Sequence, residues 1–549
     1  MRSESLSVPK DCRTLLKTPT VCNNIVNVPP GEYIHFGIEK GILYMMHQST
    51  LPQNLDVLPL MINIDGLPLC KSSNSQFWPI LMSIDLTKYS EVFIVGVYHG
   101  TKKPESVISF LNALVEEYLL LKKNGIIVNG KLIKLELRKI ICDAPATAFV
   151  LSIKSHTGYF GCNKCLQKGK YLRGKMTFPK LNATLRSNES FRLQLQQEHH
   201  KGITPLEKIG IGLVSNVPLD YMHLVCLGVM KTLLMFWIGK KGRNSIKLHD
   251  NYIKEMSKTL RVFRKYISQD FCRLPRRIED IDNWKATEFR QFLLYTGPIV
   301  LKGKLPKEQY KHFLCLHVAI RILCSSECIS LNMYAKRLIE YFVVKYKKIY
   351  GKEYITYNMH NLLHLHNDVL LFGKLDNFSA FRFESYMSKI KRNLKNSRYP
   401  LQQIYNRITE ERNLIYNKKK LSLLQDDDKS LIYNENGKTY TYLKKIIFNN
   451  QIISLCQRNN CVLLKNSSCI MLISDIYKTE NNNIKIVGRT FKSVSDFVHK
   501  PSFSLSIKVV DIHKMTNIST FDYEDIKSKC VMLPFNDKFA IIPILHNNE

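Results

Sequence analysis

Leu58-Pro59-Leu60-Met61-Ile62-Asn63-Ile64-Asp65-Gly66 reads as a buried strand that ends in a carboxylate. Packing gives no reason for a charge there, because carboxylates are seldom fully buried unless they are paired or bind a metal. Leu135-Glu136-Leu137-Arg138-Lys139-Ile140-Ile141-Cys142-Asp143 ends the same way, 143 − 65 = 78 positions later. Two acids at strand ends point to a shared metal site that needs a third carboxylate.

The surrounding pattern supplies a sheet for both. Leu58–Ile64, Phe77–Ile84 and Val92–Tyr98 are strand-like and are separated by turn-prone Asn74, Ser75 and Lys88. A helix follows, with Pro104 in its first turn and Val107, Phe110, Leu111, Leu114, Val115 and Tyr118 at helical spacing. Lys131–Cys142 is a fourth strand, and a second helix runs from Ala144 to about Lys154. Three strands, a helix, a strand and a helix make an α/β core. Acids ending its first and fourth strands are the arrangement of an RNase H-like fold, in which those strands are neighbours and a later helix brings the third acid.

The chain has 549 residues and 45% hydrophobic content, enough to bury more than one core. Its 80 Lys+Arg against 46 Asp+Glu leave a net charge of +34. That excess predicts a polyanionic partner, most simply DNA bound through its phosphates. The competing reading is a Lys- and Asn-rich composition without functional meaning. No apolar run reaches membrane-span length and no signal core is present, so no membrane is expected and the 15 cysteines are expected as thiols or metal ligands.

Residues 1–55 read as a lead-in segment, with no Cys/His finger or helix-turn-helix pattern. Residues 56–227 hold the core, and 228–355 read as a large helical insertion within it. Residues 356–420 supply further helices that complete the core. Lys418-Lys419-Lys420 and Asp426-Asp427-Asp428 mark a linker to a small β-rich domain at 430–549.

Cys162-Asn163-Lys164-Cys165 has the spacing that lets two thiolates reach one zinc ion from a tight turn, with a redox pair or plain structural cysteines as alternatives. His360-Asn361-Leu362-Leu363-His364 places two imidazoles on one helix face, suited to the same ion or simply polar on an exposed face. A structural Cys₂His₂ zinc site from Cys162, Cys165, His360 and His364 follows, with His366 as a competing ligand. Asp220-Tyr221-Met222-His223 is a further motif: it could orient a catalytic group, bind DNA, or be a helix-capping aspartate followed by a core histidine.

Two residues compete for the third acid. Glu288 lies in the helical insertion. Glu384 begins a basic helix, 384 − 364 = 20 residues after the last histidine of the proposed zinc site. Glu384 is preferred, because a zinc-fixed neighbouring helix would hold it in place. Lys389, Lys391, Arg392, Lys395 and Arg398 continue from it toward where phosphates would lie. The competing readings are a surface helix acid at Glu288 and a salt bridge within its own helix at Glu384. Three carboxylates suit two Mg²⁺ (or Mn²⁺) ions about 3.5–4 Å apart, the arrangement for in-line phosphoryl displacement.

In family order, Ile64-Asp65-Gly66, Asp143-Ala144-Pro145-Ala146, Gly161-Cys162-Asn163-Lys164-Cys165, Asp220-Tyr221-Met222-His223, His360-Asn361-Leu362-Leu363-His364-Leu365 and Phe383-Glu384-Ser385-Tyr386 resemble the DDE transposases of the CACTA (En/Spm) group, from about residue 57 to 412. The resemblance implies an RNase H-like catalytic core with a helical insertion and Mg²⁺-dependent DNA strand cleavage and transfer. It also implies a homo-oligomer on DNA and a nuclear location. By motif, Asp65, Asp143 and Glu384 would be the triad and the Cys and His pairs the two halves of a zinc site. A domesticated, non-catalytic DNA-binding protein and an RNase H-like nuclease of another kind are the alternatives.

Overall fold

Leu58 to Ile64 is buried along its whole length, as expected of a strand with neighbours on both sides and cover on both faces. The computed structural model describes residues 11–22, 24–48, 55–70, 72–86, 91–242, 246–418, 431–435, 438–465, 469–498, 501 and 507–546. They divide into two units. The first takes in 1–170, 182–220 and 377–425, and the second 171–181, 221–376 and 426–549.

The first unit is built on a mixed sheet. Its strands are β1 (Ile25–Val28), β2 (Gly31–His35), β3 (Val57–Ile64), β4 (Gln76–Ile84), β5 (Val92–Gly100), β6 (Ile126–Val128) and β7 (Lys131–Ile141), in the spatial order β1-β2-β5-β4-β3-β7-β6. Among the helices that accompany these strands are α1 (Ile38–Gln48), α2 (Val107–Asn124) and α3 (Ala144–Val150). β3 pairs antiparallel with β4 and parallel with β7. Leu58, Leu60, Ile62 and Ile64 share one face of β3 and join Phe110, Leu111, Leu114 and Val115 of α2 in a single apolar core. Ser106 caps α2 by accepting from Ser109 N, so the helix starts three residues after Pro104 rather than on it. Residues 1–55, read from sequence as a lead-in, put β1 and β2 into this sheet. Their short strands gave too little periodicity to be recognised.

β7 alternates buried and exposed residues until its pairing with β3 slips between Leu60 and Met61, where Leu137 and Lys139 become successive partners. This bulge skips Arg138 and shifts Lys139 from the face of Leu135 and Leu137 to that of Met61, where it is 4% exposed. Lys139 Nζ then pairs with Asp85 Oδ1 at 2.7 Å and donates to Asn377 O at 3.2 Å.

In the second unit, helices Asp250–Phe263, Lys307–Leu323 and Asn332–Tyr350 agree with the helical reading of 228–355. The π-helical stretch Met222–Met230 runs directly into helix Lys231–Trp237. The C-terminal region is β-rich, with ten of its described strands in one sheet. It is built into this unit by a fully buried pair, Lys529 Nζ to Asp270 Oδ2 at 2.5 Å, and by His546 Nδ1 at 2.8 Å from Tyr295 Oη. Lys419-Lys420 and Asp426-Asp427-Asp428 lie outside the described residues. Among the described residues, no helix is long and apolar enough to cross a membrane.

Candidate functional site

The parallel β3–β7 ladder brings the two strand-end acids together. Asn63 is register partner to Ile141, and its Nδ2 donates to Ile141 O at 2.8 Å. Asp65 and Asp143 follow directly after these residues, both half-buried. Asp65 Oδ1 accepts from Gly66 N at 2.6 Å. Asp143 caps α3 by accepting from Ala146 N at 2.7 Å, with Pro145 in the helix's first turn. Between them, the Cys142 thiol is pushed well up by burial, and the carboxylates of Asp143, Asp65 and Asp220 raise it further. Three acids from distant parts of the chain act on this one thiol, a field that favours a cation.

Asp65 and Asp143 form one group with His223, whose ligand atoms all lie within 4.8 Å of one another. Glu384, half-buried in the first turn of helix Phe381–Arg392, is not in that group. Its helix is nevertheless anchored in the same unit. Asp220, 4% exposed, accepts from Ala380 N at 2.8 Å and so caps the Glu384 helix from 160 residues away. The aspartate read as a possible helix cap thus also serves a helix distant in the chain. Lys139 adds its bond to Asn377 O just upstream. His223 sits in the first turn of the π-helical stretch, a distortion common at functional sites. Gly228 on that stretch approaches Asn358 so closely that a Cβ would lie 2.4 Å from its side-chain nitrogen.

Glu288 is occupied elsewhere. At 3% exposure it takes Arg276 Nε and Nη2 at 2.6 Å each and accepts from Lys285 N at 2.8 Å, closing a capping box.

Cys162, Cys165, His360 and His364 are all buried, and their ligand atoms also lie within 4.8 Å of one another; the four could hold a metal ion. The two sulfurs are 3.6 Å apart, far beyond a disulfide bond, and none of the 15 cysteines is in a disulfide. The Nε2 atoms of His360 and His364 are 3.3 Å apart. Tetrahedral coordination with bonds of about 2.3 Å to sulfur and about 2.0 Å to nitrogen requires separations of about 3.8 Å and about 3.3 Å. The thiol of Cys165 is raised by its hydrogen bond with Cys162 and by burial, and metal binding would displace its proton.

Helix Tyr357–Asn361 passes through a 3-10 turn, Leu362–His364, before helix Leu365–Phe372, so the His pair spans a change of winding and not one regular helix. The His360 ring stacks on Phe178 at 5.5 Å between centroids. His366 directs Nδ1 to Leu363 O and is outside the group.

Sequence reading missed the residues that support these sites. Arg186, 5% exposed, donates to the carbonyls of Cys162 and Cys165 at 3.4 and 3.3 Å and to Gln196 Oε1 at 2.6 Å. Its cation offsets the charge of two thiolates, as outer-shell groups do. His199 hydrogen-bonds Phe160 O through Nδ1 at 2.6 Å and is pushed down to about 4 by burial and by the nearby Arg186 charge. His156 lies close enough to Asp143 for the carboxylate to oppose the lowering that burial imposes on it. No spacing in the sequence marked any of the three.

The basic run is split. Helix Phe381–Arg392 ends before Lys395 and Arg398, which lie in the turn ahead of Pro400, where helix is disfavoured. Lys389 pairs with Glu411 at 2.5 Å and Lys391 donates to Pro68 O at 2.8 Å, whereas Arg392, Lys395 and Arg398 are exposed.

Residues 425–544 match a family described as a domain of unknown function, DUF8592. No curated protein matches the chain.

Proposed function

We propose that the chain is a transposase-like DNA-binding protein, with Asp65 and Asp143 as the core of a site for Mg²⁺- or Mn²⁺-dependent strand cleavage and transfer. The observation that carries this reading is the parallel pairing of β3 with β7, which sets Asp65 beside Asp143 at one end of the sheet. Further support comes from the order β5-β4-β3-β7 with α2 between β5 and β7, the order expected of an RNase H-like core. When bound, a divalent cation would supply Lewis acidity toward a phosphodiester oxygen and lower the pKa of a water molecule. Asp65 and Asp143 would hold it through hard oxygen atoms. Asp220 and Lys139 would steady the helix carrying Glu384, the proposed third acid. The buried cysteines and histidines are proposed as a structural zinc site, since their spacings fit tetrahedral sulfur–nitrogen coordination and their burial leaves no open position for substrate.

One observation favours a second reading. The third ligand gathered with Asp65 and Asp143 is His223, and an imidazole suits Zn²⁺ better than Mg²⁺. A domesticated protein that keeps fold and charge without strand transfer would tolerate this. A supercoiled-plasmid nicking assay in Mg²⁺ and in Mn²⁺, wild type against Asp65→Ala, separates the two. Metal-dependent nicking lost in the variant supports the catalytic reading. Equal activity in both proteins sinks it, and DNA binding without nicking in either leaves the domesticated one.

A further inference from the structure

A cleft of about 340 Å³ opens beside helix Phe381–Arg392 in the first unit. Arg382, Lys389 and Arg392 line it from that helix, and their spacings of seven and three residues place them on one face. Glu91, just before β5, and Glu411, on helix Pro400–Lys418, bring two carboxylates to the same space. Tyr44 of α1 and Tyr386 add aromatic surface. Lys389 is held by Glu411 at 2.5 Å and lies 5.5 Å from the centre of the Tyr386 ring, so one cation and one carboxylate already neutralise each other.

The remaining chemistry is specific. Three cations against two carboxylates leave one positive charge in excess, which the single charge of a phosphodiester cancels. An aromatic face stacks on any base and is sequence-tolerant. A carboxylate beside it accepts from an exocyclic amino group, as acids do toward cytosine. The volume falls in the range of sites that enclose a small ligand.

We propose that this cleft takes one nucleotide, its phosphate against Arg382 and Arg392 and its base against a tyrosine ring, with a carboxylate receiving the base's amino group. The charge balance favours a nucleotide within a strand over a free monophosphate. The proposal shares the nucleic-acid part of the reading above but not its chemistry at Asp65 and Asp143.

The test uses the full chain and a fluorescein-labelled single-stranded deoxyadenosine hexanucleotide, followed by anisotropy at ionic strength high enough to suppress general phosphate attraction. An abasic hexanucleotide with the same phosphates should bind about tenfold more weakly, the loss of one stacked base. Arg392→Gln should weaken the intact strand about tenfold, while Lys123→Gln, exposed at the end of α2 and outside the cleft, should change it less than twofold. Tyr44→Leu, or Tyr386→Leu if that variant folds, should bring intact and abasic strands to equal affinity. Competition by free deoxyadenosine monophosphate as strong as by the strand would identify the free nucleotide as the source and keep the ligand class. Equal binding of intact and abasic strands by wild type, or equal losses from Lys123→Gln and Arg392→Gln, would overturn the proposal. Asp65→Ala should bind like wild type, so a failure of nicking leaves this result intact.

Discussion

The two ligand sets differ in burial and in chemistry. Cys162, Cys165, His360 and His364 are buried, soft and spaced for four bonds to one ion. Asp65, Asp143 and His223 are half-buried, hold two hard oxygen donors, and stand at the end of a sheet. A closed set of four ligands contributes to folding, whereas a set that keeps contact with solvent can admit water and substrate. Similar geometric convergence therefore predicts opposite responses to mutation, in stability for one and in activity for the other.

The largest stability effect is expected at the closed set. Cys162→Ser with Cys165→Ser should remove about one zinc per chain and several kcal/mol of stability, since metal binding in such sites is folding free energy. Metal analysis and thermal unfolding check this, and unchanged metal content with unchanged melting would break the contrast.

Acid loss sharpens it. His312, buried and bonded through Nε2 to Phe342 O, is pushed down to about 4 by burial. The unfolded chain takes up that proton near pH 6.5 while the folded chain refuses it until about 4, so stability is highest above pH 6.5 and falls as pH drops toward 4. The whole window is worth about 3 kcal/mol. His312→Gln should flatten this fall in urea unfolding at pH 4.5 and 7, and whatever acid loss remains belongs to other groups, the metal cluster among them. An unchanged slope would remove His312 from the account.

Asp220 lies between the two extremes, buried and accepting from the backbone amide of Ala380 at the start of the Glu384 helix. Asp220→Ala should cost about 1 kcal/mol and Asp220→Asn less, because asparagine also caps. Hydrogen exchange at the amides of residues 380–384 reports the loss directly. Equal protection in all three proteins would show that the cap does not hold the helix.

The smallest stability effect is expected at Asp65. Asp65→Ala should shift unfolding by less than about 1 kcal/mol, as for a half-exposed polar group, while it abolishes nicking if the catalytic reading holds. A large destabilisation would place Asp65 with the structural residues instead.

Much of this was legible because it is local. Leu58–Ile64 and Lys131–Ile141 announce buried strands, and Cys162/Cys165 and His360/His364 carry ligand spacing within five residues of chain. Other features have no local signature. The bulge that moves Lys139 to the other face of β7 depends on the partner strand, and Arg186 reaches the CxxC carbonyls from 21 and 24 residues away. Glu384 was chosen by its distance along the chain, and chain distance does not fix side-chain distance.

The sequence by itself determined the strand-end acids, the metal-spaced cysteine and histidine pairs and the excess of positive charge, because these are properties of composition and short-range period. Tertiary structure alone decided that Asp65 meets Asp143, that His223 joins their group, and that Asp220 accepts from an amide 160 residues away. Those outcomes follow from strand register, crossover and helix packing, which join residues whose separation along the chain carries no energetic information.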